Sequence, residues 1–124
     1  MDADDNVAIV FARSADDEYP SMWRTVRAAG DAAGTFQPPQ LVKASVTGHS
    51  GGRWGDYAGA SPDPANGAIW LAHEWRAAGG WSTWIDRAQV VANAPVHVPG
   101  DYATIQAAID DVPNGFTIIV APGT

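Results

Sequence analysis

The chain has 124 residues, with 14 Asp and Glu against 7 Lys and Arg for a formal charge of -7, 46% hydrophobic residues, 13 Gly, 9 Pro and no cysteine. That balance argues against a helical bundle, repels nucleic-acid backbones and anionic lipid, and rules out disulfides and thiolate metal sites. No apolar run approaches the roughly 20 residues that a spanning helix needs, so no membrane insertion is expected, and the acidic start MDADDNVAIV lacks the basic head of a signal peptide.

Residues Asn6 to Ser14 alternate Val7, Ile9 and Phe11 with Val10 and two alanines. Both faces are apolar, as in a strand covered on two sides. After the turn-rich ADDEYP, the run SMWRTVRAA alternates Met22 and Val26 with Trp23, Thr25 and Arg27, and QLVKASV follows as a third strand. The glycine-rich TGHSGGRWG then leads to three more strands at Tyr57 to Ser61, Ala68 to Trp75 and Trp81 to Val90, with turns at PDPANG and RAAGG. Five of the six tryptophans fall between Arg53 and Trp84. This segment reads as one sheet that needs a sister sheet to bury its faces.

Beyond Val90 the period changes. The two-proline stretch VANAPVHVPG, residues 91–100, is the expected linker. In DYATIQAAIDDVPNG, Tyr102, Ile105, Ile109 and Val112 recur at helical spacing, with Asp101 as expected N-cap and Asn114-Gly115 as terminator. The strand-like FTIIVAPGT follows.

Ser61, Asp63, Gly67 and Trp70 in SPDPANGAIW resemble a loosely spaced Asp-box, the turn motif of sialidase-like β-propellers of the bacterial neuraminidase repeat type. EYPS at Glu18 to Ser21 and the RWGDY...DP...W...E pattern from Arg53 to Glu74 extend that resemblance over about residues 2 to 90. It implies a structural role for the motif, the Asp capping a hairpin turn and the aromatic packing between blades. From Val98 onward, VPGDYATIQAAIDDVPNGFTIIVAPGT resembles the opening of pectin-lyase-like right-handed parallel β-helices, in which an amphipathic helix caps the first coil. None of that family's catalytic positions falls within the chain.

The expected fold is therefore all-β: a partial β-propeller of about two incomplete antiparallel blades over residues 1–90, a linker at 91–100, and the cap helix and first strand of a β-helix over 101–124. A blade normally holds four strands, and each half-blade here supplies three. That count implies a piece spanning the junction of two modules, with the missing blades in the same parent chain. The resemblance further implies a secreted or cell-surface protein.

Several motifs suggest chemistry that their context denies. GHSGG fits a nucleophile elbow at Ser50, with Asp63 or Asp86 and then His97 in hydrolase order, but the Gly- and Pro-rich sequence after it cannot start the required helix. His73-Glu74 opens a zinc motif whose second histidine is replaced by Ala77. DADDN imitates a calcium loop at Asp2, Asp4 and Asn6, but Val7 stands where glycine belongs and Arg13 where the bidentate Glu belongs, which favours a β-turn and leaves at most weak calcium binding. No cofactor or metal centre is expected.

The paired carboxylates Asp56 and Glu74 remain as candidate acid and base. They stand at the start of one strand and the end of its antiparallel neighbour, where a glycosidase would hold two carboxylates about 5–10 Å apart. Arg53, Trp54 and Tyr57 are the candidate ligand-binding residues beside them. The competing reading makes Arg53 and Asp56 a turn-fixing ion pair and the aromatics packing groups. A non-catalytic module binding glycan or extracellular protein is the favoured function. The alternative is a piece of a carbohydrate-active enzyme, a glycosidase-like propeller or a pectin-active β-helix.

Overall fold

The computed structural model describes residues 1–91, 95–112 and 117–122. The chain is all-β in class. Strands β1 (Val7–Ala15), β2 (Glu18–Arg27) and β3 (Gln40–Lys43) form one antiparallel sheet in that order. Strands β4 (Ala58–Pro62), β5 (Ile69–Ala77) and β6 (Gly80–Ala88) form a second. The two-residue loop Ala78-Gly79 sets the β5–β6 register, Ala77 opposite Gly80 and Ile69 opposite Ala88.

The sheets pack face to face because each presents an alternating apolar row. Ala8, Met22 and Val26 of the first meet Ile69, Leu71 and Ala88 of the second in one core cluster. Met22, Ile69 and Leu71 are fully buried, and each such side chain stabilises the fold by about 1.5–3 kcal/mol. Arg24 reaches across to pair with Asp86. Lys43 likewise places its ammonium 4.3 Å from the Trp75 ring and 4.1 Å from the Trp84 ring. Ser45 closes the seam: its Oγ accepts from the Arg76 N–H at 2.8 Å and donates to the Pro20 carbonyl at 2.5 Å.

Two turns are held in the same way. Asp2 Oδ1 accepts from the Asp4 N–H at 3.0 Å and Asp2 Oδ2 from the Asn6 amide at 2.9 Å, just before β1. Asp63 Oδ1 accepts from the Ala65 N–H at 2.9 Å and Asp63 Oδ2 from the Asn66 amide at 2.9 Å, between β4 and β5. The turns lie side by side, bordering one shallow groove, so β1 corresponds to β5 and β2 to β6. A third strand precedes the hairpin in the second sheet and follows it in the first.

The face of the first sheet bearing Ala8 and Val10 meets the face of the second bearing Ile69 and Leu71, while Trp70, Ala72 and Ile85 look away from the seam. One expectation is corrected here. Strand β1 is not covered on both sides, since Ala8 is buried but Ile9 stays exposed on the far face. Trp70 sits 42% exposed on the face of the second sheet away from the first, its Nε1 donating to Asp63 Oδ2 at 3.3 Å.

The C-terminal part departs further from expectation. Residues 96–98, expected within the linker, form β7 (Val96–Val98), which pairs in parallel with β8 (Ile118–Val120), and helix α1 (Ile105–Asp111) joins them. The helix starts at Thr104, not Asp101: Thr104 Oγ1 accepts from the Ala107 N–H at 3.1 Å. Asp101 is committed elsewhere, its carboxylate accepting the His97 N–H at 2.8 Å. Tyr102 thus lies outside the helix and donates its hydroxyl to Asp111 at 2.6 Å. Ala108 is the buried helix residue, whereas Ile105 and Ile109 are exposed. The expected terminator Asn114-Gly115 lies outside the described residues.

Candidate functional site

The segment between β3 and β4 folds over one end of the free face of the second sheet and makes a cleft of about 220 Å³ there. All five sequence-derived candidates, Arg53, Trp54, Asp56, Tyr57 and Glu74, line it. The strand register explains the meeting. Ala58 opposite His73 sets Tyr57 alongside Glu74, and Glu74 opposite Thr83 puts Trp81, two residues away on β6, on the same face.

His49 and Trp81 also line the cleft, and sequence reasoning did not select them. Trp81 was legible in principle, because the two-residue RAAGG turn fixes which β6 residues share Glu74's face. His49 carried no such signal. It enters through loop geometry: its ring folds back over Gly51, where an added Cβ would stand 2.7 Å from His49 Nε2. The same ring lies 5.1 Å from Trp54, tilted by 45°.

The polar groups divide sharply. Arg53 and Asp56 pair with each other at 2.5 Å, three residues apart on an exposed bend, and Gly55 between them takes φ +80. Their charges hold the loop. Glu74 is different: it is only 9% exposed, and its carboxylate makes no hydrogen bond or ion pair with any described residue. Trp54 Nε1 and both His49 ring nitrogens are buried without a protein partner. Buried polar groups are normally satisfied, so such a concentration in one cleft points to a polar ligand.

The remaining sequence candidates lie outside the cleft. Asp63 holds the β4–β5 turn, and its carboxyl lies below its ordinary range because it accepts the Ala65 N–H first, then the Trp70 indole and the Asn66 amide. Gly67 has φ +68, which glycine adopts without strain. Ser61 lies exposed on β4 opposite Trp70. Asp2 is depressed chiefly by the Asn6 side chain, so its oxygens serve the N-terminal turn. His73 is buried at the sheet seam with Nδ1 3.0 Å from the Glu74 carbonyl oxygen. Among the described residues, no three His, Asp or Glu side chains converge on a metal-sized site.

Comparison with protein-family models, with curated proteins and with solved structures returned no match.

Proposed function

We propose that the chain is a non-catalytic glycan-binding module of a larger exported protein, with the cleft around Glu74 as its sugar site. The observation that carries this reading is the meeting of three aromatic rings, Trp54, Tyr57 and Trp81, with the carboxylate of the largely buried Glu74, which has no partner among the described residues. Aromatic faces stack on the C–H face of a sugar, and a carboxylate accepts its hydroxyls. A cleft of about 220 Å³ suits one ring and falls below the roughly 300–1,000 Å³ of drug-sized pockets.

Binding is favoured over hydrolysis because a glycosidase uses two carboxylates. Asp56 is engaged by Arg53, which leaves Glu74 as the unengaged one. The architecture belongs to the same proposal. Side-by-side Asp turns and two stacked antiparallel sheets support a sialidase-like propeller whose further blades come from the same parent chain. The parallel β7–β8 pair beside α1 supports a pectin-lyase-like β-helix beginning at the C-terminal end. A secreted or cell-surface location follows from that reading.

A glycan array probed with the protein tests the function. Retention of a defined glycan, lost in Trp54→Ala at unchanged melting temperature, is the expected result. If the protein retains no glycan, or if Trp54→Ala retains it undiminished, the proposal falls.

A further inference from the structure

The charge arrangement of the cleft carries the argument from sugar in general to one class of sugar. Resting on the glycan-binding reading above, we infer that the site takes an amino sugar through its protonated amine and disfavours the acidic sugars that sialidase-like and pectin-lyase-like resemblances bring to mind.

Glu74 is the anchor. Its carboxylate is held on the outward face of β5, opposite Thr83, and no described cation is paired with it. Arg76, two residues along the same face, forms no ion pair with it. Lys43 is committed to the opposite face of the sheet, over Trp75 and Trp84. Arg53, the guanidinium that does line the cleft, is engaged by Asp56. The lining therefore carries two carboxylates against one guanidinium, in a chain whose formal charge is -7. An incoming carboxylate would face Glu74, and the one guanidinium that lines the cleft is already paired with Asp56. The Glu74 oxygens are open to the cleft, where an ammonium group gives them a charge-assisted hydrogen bond.

The aromatic walls act in the same direction. Trp54, Tyr57 and Trp81 present ring faces or edges to the cleft, and a cation over a tryptophan or tyrosine face is attracted by its quadrupole. This chain already uses that interaction twice, with Arg13 3.3 Å from the Trp23 ring centre and Lys43 over two tryptophans. An amine on a sugar ring meets Glu74 and an aromatic face together, whereas a neutral sugar offers Glu74 only an uncharged hydroxyl.

Tryptophan-fluorescence titration of the protein in mildly acidic buffer, which keeps the amine protonated, separates the alternatives. The probes are glucosamine, glucose, N-acetylglucosamine, galacturonic acid and ethanolamine. The inference expects glucosamine to bind about tenfold more tightly than glucose or N-acetylglucosamine, the difference between a charge-assisted and a neutral hydrogen bond. It expects Glu74→Gln to erase that preference while glucose affinity persists. Equal binding of glucosamine and glucose overturns the amine preference but leaves the glycan reading standing. Tighter binding of galacturonic acid overturns the inference outright. Ethanolamine matching glucosamine removes the role of the ring and with it the glycan reading. If none of the probes binds, both fail.

Discussion

Asp63 shows how much one carboxylate can organise. Its two oxygens hold the Ala65 N–H, the Asn66 amide and the Trp70 indole, so the ionised form is favoured in the folded chain. A carboxyl whose folded value is depressed adds stability above its unfolded value, near 3.9, and loses it as pH falls through the folded value. Asp2 has the same sign, chiefly through Asn6. Melting temperature should therefore drop as pH is lowered below about 4, and Asp63→Asn should flatten that drop while lowering stability at neutral pH. An unaltered acid profile in Asp63→Asn would remove the carboxylate from this role. Gly51 gives a second residue-scale prediction. It is not in the left-handed region, so alanine fits the backbone, but the new Cβ would stand 2.7 Å from His49 Nε2 and displace the ring. Gly51→Ala should weaken sugar binding severalfold and leave the melting temperature unchanged, as calorimetry and a thermal melt on the same sample would show.

At the scale of elements, the strands were legible because alternation and turn residues are local signals. Their partners across the seam were not. Alternation in β1 makes two apolar faces equivalent, and only the second sheet decides that Ala8 is buried and Ile9 is not. The helix start failed for a similar reason: Asp101 and Thr104 are both good caps, and the choice falls to Thr104 because the His97 N–H occupies Asp101. The cap predicts its own test. Thr104→Ala should destabilise α1 by about 1 kcal/mol, seen as faster amide exchange over residues 105–111. The amides of β1, β2, β5 and β6 should be unaffected, because α1 makes its main contacts with β7 and β8. Lys43 tests the seam instead. Lys43→Met keeps the aliphatic stem but removes the ammonium from Trp75 and Trp84, and should cost about 0.5–2 kcal/mol in urea unfolding.

For the whole molecule, the informative property is that the first sheet covers one face of the second, which keeps its other face uncovered. Trp70 is 42% and Ile85 66% exposed there, and the cleft lies at one end of the same surface. The sequence announced sheets that need sisters, through its five clustered tryptophans, but it could not say which tryptophans face the seam. Trp75 and Trp84 do, with Lys43 between the sheets, whereas Trp54 and Trp81 face the cleft. The proposed architecture would cover the outer row with a further sheet. Without it, Trp70, Ala72 and Ile85 form an apolar strip that favours association of the chain with itself. Sedimentation of the 124-residue chain should therefore show concentration-dependent association. Ile85→Lys should suppress it without lowering the melting temperature, because Ile85 lies outside the buried core cluster. A chain that stays monomeric, or a variant that associates equally, would mean that this face is stable against water and that two stacked sheets are a complete unit.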